Sequence, residues 1–239
     1  MPPSPLAGRR IVITRPEADA TRLANRLRAL GAIPIVAPAI QIEFTDPPEL
    51  DRALANLAEY HWIIFTSRSG VEAVFRRTRS LAGPKVAAIG PATAAALRAH
   101  GVEPDLVPAE YVAEGILETL GEVRSLRFLL PRADIAREAL VDGLTRRGAV
   151  VDEIAAYRTR ELIAPRADPG PVDAVTFSSS STVRGFLAGG PVPAGAKVVC
   201  IGPITAQTAR EHGLDVAAVA EHYTEDGLIS ALVAAFAEP

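Results

Sequence analysis

Cysteine and lysine are nearly absent from this sequence. Cys200 is the only cysteine among the 239 residues, which excludes an intramolecular disulfide and a cysteine metal cluster. It lies within an apolar run, so we predict a small core residue. Lys85 and Lys197 are the only lysines, so arginine carries almost all of the positive charge. Arginine suits fixed contacts with carboxylates or phosphates, although the same excess also follows from genome base composition.

Long apolar runs and an excess of one charge are lacking too. No run approaches the roughly 20 apolar residues that span a bilayer, and residues 1–10 contain no apolar core of a signal peptide. The formal net charge is −3, which argues against nucleic acid as the main partner. We therefore expect a cytoplasmic protein without a membrane partner. The 49% of apolar residues suffices for two cores.

Motifs for nucleotide, metal and hydrolase chemistry are also missing. The sequence has neither G-x-G-x-x-G nor G-x-x-x-x-G-K-[ST], so we expect no nucleotide cofactor. It has no H-E-x-x-H and no G-x-S-x-G. His100 and His212 each precede a glycine at a predicted helix end, where a cation complements the helix dipole. We expect neither a cofactor nor a metal.

What the sequence does contain is an internal repeat. KVAAIGPATA at residues 85–94 returns as KVVCIGPITA at 197–206, which is 112 positions later, and the alignment continues without a gap to Leu120 and Leu232. RIVITR at 10–15 resembles RFLLPR at 127–132, which is 117 positions later. The chain therefore consists of two copies of one unit.

Within each copy, predicted strands alternate with predicted helices. The apolar runs predict strands at 10–14, 33–37, 61–66, 85–89 and 104–107, and then at 127–131, 150–154, 172–177, 197–201 and 215–219. Between the first two runs, Leu23, Leu27 and Leu30 have helical spacing, and Gly31 suits the helix end. Such alternation is typical of an α/β fold with a doubly wound parallel sheet.

Two segments interrupt this alternation. Residues 39–44 alternate apolar and polar side chains, and residues 155–162 are extended in character without a helical pattern. Each follows the second predicted strand of its copy. We predict that they are connector strands that pass between two domains and pair with each other.

The carboxyl ends of parallel strands are where α/β proteins bind ligands. The first strand of each copy ends at Thr14 and Arg15 or at Arg132. An arginine there predicts a bidentate contact with a substrate carboxylate. The alternative is an ion pair with an acid at a nearby helix start, and the sequence does not decide between the two.

The turns after the third and fourth strands are rich in hydroxyl groups and glycine. Such residues at a strand-to-helix turn direct backbone N–H groups toward an anion, although serines there also serve as ordinary helix caps. Glycine permits close backbone approach, and proline suits a first helical turn. The candidate ligand contacts in these turns are Ser67, Arg68, Ser69, Gly90, Thr93, Ser178, Ser179, Ser180, Gly202, Pro203 and Thr205.

Three tyrosines lie near these turns. Tyr111 and Tyr223 precede the last helix of each copy, and packing against the core is the simpler interpretation for both. Tyr157 lies in the second connector. Its phenol is a candidate hydrogen-bond anchor or proton donor.

Together these pieces resemble the uroporphyrinogen-III synthase family over nearly the whole chain. The resemblance rests on ITRP (13–16), FTSRSGVEAVF (65–75), the strand and Gly-Pro-x-Thr phrase at 198–205, Tyr157-x-Thr159, and EDGL (225–228). It implies two flavodoxin-like domains joined by a two-stranded connector, with the substrate in the cleft between them. One domain combines 1–38 with 163–239, the connectors are 39–44 and 155–162, and the other domain is 45–154.

The resemblance also implies a reaction. The family cyclises the linear tetrapyrrole hydroxymethylbilane with inversion of its last ring and release of water, without a cofactor. It implies that Tyr157 assists departure of the hydroxyl as an auxiliary acid and that Thr205 hydrogen-bonds the substrate. The expected partners are hydroxymethylbilane and, transiently, hydroxymethylbilane synthase, and the expected state is a monomer.

One feature departs from the family pattern. Members often have proline within the serine turns, whereas this chain has SRSG at 67–70 and SSSS at 178–181. The turn conformation and the individual serine contacts therefore stay open.

Two other function classes remain compatible with the sequence, because a fold does not determine a function. The first is a non-catalytic two-domain module that binds a tetrapyrrole or another small molecule. The second is a regulator that has lost activity. Turnover distinguishes the synthase from both.

Overall fold

The computed structural model describes residues 4–135, 138–162 and 170–237, apart from the side chain of Ala18. The strands are β1 (Arg10–Ile13), β2 (Ile33–Val36), β3 (Ile40–Phe44), β4 (Trp62–Phe65), β5 (Lys85–Ala88), β6 (Arg127–Ala133), β7 (Val150–Glu161), β8 (Ala174–Phe177), β9 (Lys197–Cys200) and β10 (Val216–Val219). The helices are α1 (Glu17–Ala29), α2 (Pro48–Ala55), α3 (Arg68–Phe75), α4 (Pro91–Ala99), α5 (Ala113–Thr119), α6 (Ala139–Arg146), α7 (Ser180–Ala188), α8 (Pro203–Glu211) and α9 (Glu225–Phe236).

The chain divides into two compact units. Unit 1 contains Met1–Gln41 and Arg160–Pro239, and unit 2 contains Ile42–Thr159. Both boundaries fall within the segments predicted as connectors. The precise domain limits, 1–38 with 163–239 and 45–154, stay a prediction.

Each unit is built on one sheet. The sheet of unit 1 has the order β10-β9-β8-β1-β2, and every adjacent pair is parallel. The second sheet has the order β3-β7-β6-β4-β5, in which β7, β6, β4 and β5 are parallel. The predicted α/β fold with two parallel-dominated sheets is therefore confirmed.

The two connector segments pair as predicted. β3 lies beside β7 in the second sheet. Thr45 N–H donates to the Ala156 carbonyl, and Leu162 N–H donates to the Ala39 carbonyl, at 3.1 and 2.9 Å. Residue numbers rise along one strand while they fall along the other, so this pair is antiparallel.

Burial explains why the central strands are continuous apolar runs. In β1, Ile11 and Ile13 belong to the core cluster on one face of the sheet, while Val12 belongs to the cluster on the other. In β4, Ile63 and Ile64 divide between two clusters in the same way. Side chains alternate between the faces of a strand, and helices cover both faces, so both faces favour apolar residues.

Cys200 follows the same rule. It is fully buried at the end of β9, as predicted for a core residue. Burial raises the pKa of its thiol to about 12. The thiol therefore stays protonated and unreactive near neutral pH.

Two strand predictions need correction. Residues 104–107 form only an isolated bridge between Leu106 and Ala87, because the Asp105 carboxylate accepts the Val86 N–H at 2.7 Å in place of a strand carbonyl. Residues 150–154 and 155–162, predicted as a strand and a separate connector, form the single strand β7 as far as Glu161.

The predicted first helix is confirmed in detail. Leu23 and Leu27 are fully buried on one face of α1. Gly31 follows the helix with a φ of +80°, in the left-handed region that a side chain disfavours. Gly148 has the same role after α6, with a φ of +83°.

The edge strand β2 is protected against pairing with another chain. Ile33 and Ala37 donate their N–H groups to β1, so the N–H of the intervening position 34 would face away from the sheet. Pro34 occupies that position and has no N–H to offer. A Pro in this place removes a donor from the open edge.

Among the described residues, no helix is both long enough and apolar enough to cross a membrane.

Gly227 provides a test of the tight packing at the start of α9. A Cβ at this position would overlap the backbone carbonyl of His222. We expect Gly227→Ala to lower the free energy of unfolding by about 2–3 kcal/mol in urea titrations, although alanine is normally the better helix residue. Gly121→Ala is the matched control, since an added Cβ there meets nothing within 4 Å. Equal midpoints for the two variants would contradict the packing.

Candidate functional site

The predicted site residues gather at the carboxyl ends of adjacent strands, within each unit separately. In unit 1, the neighbouring strands β1, β8 and β9 lead into Thr14, Ser178 and Gly202. In unit 2, the neighbouring strands β6, β4 and β5 lead into Arg132, Ser67 and Gly90. Each unit therefore brings its own set of candidates to one sheet edge.

Arg15 is engaged in a buried ion pair. Its Nη1 lies 2.9 Å from Oε2 of Glu225, with side-chain exposures of 7% and 14%. Glu225 is the first residue of α9, and Arg22 and Arg26 also approach its carboxylate. The structure therefore corresponds to the alternative interpretation, an acid at a helix start, and does not support a substrate contact by Arg15.

Arg132 has the equivalent arrangement in unit 2. Its Nε lies 2.5 Å from Oε1 of Glu153 on β7, and its Nη2 lies 3.4 Å from Glu138, the N-cap of α6. The side chain is only 3% exposed. As with Arg15, these partners favour a structural role over a direct contact with substrate.

Thr14 is fully buried. Its hydroxyl donates to the carbonyl of Thr176 on the adjacent strand at 2.7 Å, and the Thr176 hydroxyl donates to the carbonyl of Val12 at 2.9 Å. These bonds satisfy two polar side chains between β1 and β8. They favour a structural role for Thr14, and its contact with a substrate stays a prediction.

Two of the predicted serines are helix caps. Ser67 is the N-cap of α3, and its Oγ accepts the N–H of Gly70 at 3.0 Å. Ser179 is the N-cap of α7 and forms a capping box with Thr182. The capping interpretation left open by the sequence is thus observed in both copies.

The remaining residues of these turns differ in their partners. Ser180 Oγ lies 2.7 Å from Oγ1 of Thr208 on α8. Ser69, Arg68 and Ser178 are partly buried in the turns. In the described part of the chain, the hydroxyls of Ser69 and Ser178 have no hydrogen-bond partner.

The glycines that precede α4 and α8 pack against tyrosine rings. A Cβ on Gly90 would lie 3.2 Å from Tyr111, and a Cβ on Gly202 would lie 3.2 Å from Tyr223. Both tyrosines thus pack on a glycine. The sequence predicted that these tyrosines pack in the protein but did not predict the glycine as their partner. The signal for the pairing was present, because each tyrosine follows its glycine by 21 residues.

The starts of α4 and α8 have unused hydrogen-bond donors. Gly90 and Gly202 are the N-cap residues, and neither helix has a side-chain cap, with Pro91 and the exposed Pro203 at the first helical position. Thr93 and Thr205 lie in the first turns and are 4% and 5% exposed. Over the ranges that the structure describes, neither hydroxyl has a hydrogen-bond partner.

Tyr157 lies beside one of the serine turns. Its Oη is 2.8 Å from Ser67 Oγ, and the residue is 7% exposed. Burial raises the pKa of the Tyr157 phenol, while the hydrogen bond from Ser67 and the charge of Arg132 act in the opposite direction. The phenol is therefore protonated near neutral pH and able to donate a hydrogen bond.

Glu225 was missed as a site-organising residue. It lies 210 residues from Arg15, and the position 112 residues earlier holds Ala113, so the repeat gives no signal for the pair. The EDGL motif at 225–228 drew attention to this part of the sequence, but it did not indicate which residue pairs with Glu225.

The ion pair of Arg15 predicts a large effect on stability. Glu225→Gln removes the carboxylate that lies against the buried guanidinium of Arg15, so we expect a loss of about 3 kcal/mol in the free energy of unfolding. Glu49→Gln is the matched control, because Glu49 pairs with Arg52 at exposures of 57% and 71% and should contribute less than about 1 kcal/mol. Urea denaturation measures both, and similar losses would show that burial of the Arg15 pair is unimportant.

Comparison with known proteins identifies sequences that are similar to this chain. The family model described as uroporphyrinogen-III synthase HemD matches residues 21–230. The uroporphyrinogen-III synthase of Synechococcus elongatus is 33% identical, over 97% of this chain and 97% of its own.

Solved structures have the same fold. A mutant uroporphyrinogen III synthase from Thermus thermophilus superposes with a TM-score of 0.67 at 21% identity, over 95% of this chain and 98% of its own. Uroporphyrinogen-III synthetase from Helicobacter pylori gives 0.64 at 17% identity, over 95% and 99%. The match of the family model across most of the sequence, together with the full-length relative, establishes that this chain belongs to the uroporphyrinogen-III synthase family.

Proposed function

We propose that this chain cyclises hydroxymethylbilane to uroporphyrinogen III and releases water. The observation that carries the proposal is family membership over nearly the entire chain, with most of both copies included in the matched residues 21–230. The protein is thus an enzyme of the lyase class in porphyrin biosynthesis.

The main task of the enzyme in this reaction is to control the conformation of the substrate. Loss of the hydroxyl as water leaves an azafulvene, which the far pyrrole ring attacks to give a spiro intermediate. This intermediate reopens and closes with the last ring inverted. The substrate also cyclises without help to the other isomer, so the protein must hold one folded conformation.

The starts of α4 and α8 are the best candidates for holding substrate carboxylates. Backbone N–H groups at a helix start attract anions, and these two helices lack the side-chain cap that α3 and α7 have. The hydroxyls of Thr93 and Thr205 add a donor in each first turn. Arg15 and Arg132 are each held by an ion pair, which favours a role in supporting the turns.

Tyr157 supplies the hydrogen bond to the departing hydroxyl. Its raised pKa keeps the phenol protonated but makes it a weaker acid than a free tyrosine. We therefore assign it an auxiliary role, in which it assists a departure that the electron-rich pyrrole already favours.

Hydroxymethylbilane that diffuses freely is lost to spontaneous cyclisation. A transient contact with hydroxymethylbilane synthase would shorten that exposure, and a monomer leaves the protein surface open for it. Both features belong to the proposal.

Isomer analysis tests the proposed activity. Hydroxymethylbilane is generated enzymatically with and without the protein, the products are oxidised, and porphyrin isomers I and III are separated by chromatography. We expect mainly isomer III with the protein and isomer I without it. Isomer I alone, at the uncatalysed rate, would reject the synthase, and retained tetrapyrrole binding would then assign the chain to the binding class.

Thr205→Val tests the role of the unpartnered hydroxyl. Loss of a hydrogen bond to a charged carboxylate should lower kcat/KM about 10–100-fold. The free energy of unfolding should change by less than about 0.5 kcal/mol, because the hydroxyl has no partner in the described protein.

Thr14→Val is the matched control for stability. Its hydroxyl donates to the Thr176 carbonyl, so the substitution should cost about 1 kcal/mol in urea denaturation. A Thr205→Val protein with unchanged kcat/KM, or with a stability loss as large as that of Thr14→Val, would argue against substrate binding at this position.

A further inference from the structure

Ser67 makes two side-chain contacts at once. Its Oγ accepts the N–H of Gly70 at 3.0 Å, which fixes the side chain as the cap of α3. The same atom lies 2.8 Å from Oη of Tyr157. The cap contact uses one lone pair, so the hydroxyl proton and the other lone pair are left for the phenol.

This arrangement suits both protonation states of Tyr157. A protonated phenol can donate to the free lone pair of Ser67 or accept from its hydroxyl. A phenolate can only accept, and the Ser67 hydroxyl is then placed to donate to it. Hydrogen bonds to an ionised oxygen are stronger than neutral ones, so the contact favours the phenolate.

The other groups around the phenol do not replace this contact. Arg132 on β6 favours the phenolate but is held by Glu153 and Glu138, and Asp134 at the end of β6 opposes ionisation. Burial is the largest influence, and it also opposes ionisation. Ser67 is the neutral donor that offsets it.

The second copy shows that capping alone does not require this contact. Ser179 lies 112 positions after Ser67 and caps α7, with its Oγ accepting the Thr182 N–H at 3.2 Å. The position 117 residues before Tyr157 holds Ile40. The chain thus contains the capping serine twice, whereas the residue that the 117-position offset relates to Tyr157 has no phenol.

We infer that Ser67 is a positioning residue that acts through Tyr157, holding the phenol in place and donating to its oxygen when the proton leaves. Its catalytic part rests on the proposed function. The phenol proton passes to the substrate hydroxyl, and the C–O bond breaks with its electron pair leaving as water. The pyrrole retains the positive charge, and the phenolate recovers a proton when the last ring carbon loses its hydrogen.

Titration of the phenol tests the contact without reference to activity. All four tyrosines are replaced by 3-fluorotyrosine, which titrates at a lower pH, and the ¹⁹F signal of residue 157 is identified by its loss in Tyr157→Phe. We expect Ser67→Ala to raise the pKa of this phenol by about 0.5–1. Ser67→Thr should leave it near the wild-type value.

Two further variants separate capping from donation. Ser67→Asp keeps a capping oxygen but has no donor, so the pKa of Tyr157 should rise at least as far as in Ser67→Ala. Ser179→Ala loses the equivalent cap of α7 and should leave the pKa of Tyr157 unchanged. A pKa that is the same in wild type, Ser67→Ala and Ser67→Asp would overturn the inference and leave Ser67 as a cap only.

Measurement of kcat for single and double variants is the second test of the inference. Tyr157→Phe should lower kcat partially, and Ser67→Ala should lower it by about threefold to tenfold. Ser67→Ala added to Tyr157→Phe should cause no further loss, while Ser67→Thr should retain the rate. Full additivity would overturn the inference by showing that Ser67 acts independently of Tyr157. If no variant makes isomer III, the proposed function fails while the titration still decides the contact.

Discussion

Burial of both faces of each parallel sheet is the constraint on which the rest of this structure depends. Because Val12 and Ile13 must face two different cores, β1 has no face on which a polar side chain can reach solvent. Chemistry is therefore confined to the turns where the strands end. The polar side chains that do lie inside, such as Thr14 and Thr176, bond to neighbouring strand carbonyls.

Most polar residues of those turns first stabilise the turns themselves. Ser67 and Ser179 cap helices, and Arg15 pairs with a buried acid. Two threonine hydroxyls are exceptions, because no group in the described ranges bonds to them although both residues are largely buried. Thr93 and Thr205 occupy equivalent positions in the two copies, and each lies in the first turn of a helix that has no side-chain cap. Because these hydroxyls and helix starts do not stabilise the fold, they are the groups that we propose bind the substrate.

The sequence predicts the α/β architecture well because local patterns control it. The spacing of Leu23 and Leu27 and the position of Gly31 suffice for α1, and the apolar runs locate the sheets. It fails where a side chain replaces a backbone partner, as at Asp105, or where partners lie far apart, as for Arg15 and Glu225. No periodicity encodes a contact across 210 residues. The strand-end arginines illustrate the limit, since the sequence left an acid at a helix start as one possible partner but did not identify Glu225.

Divergence between the two copies matches the needs of the proposed reaction. Carboxylates occur on every ring of the tetrapyrrole, so an anion-binding helix start is useful in both copies, and Gly90-Pro91 and Gly202-Pro203 are retained in both. Only one hydroxyl leaves, so one proton donor is enough. Tyr157 occurs in one copy and Ile40 stands at the corresponding place in the other, whereas the capping serine is kept twice. A feature needed for folding or for general anion binding stays duplicated, and the feature needed for a single bond cleavage does not. The asymmetry therefore supports our proposal that the Ser67–Tyr157 pair is the part of the duplicated framework that serves the reaction.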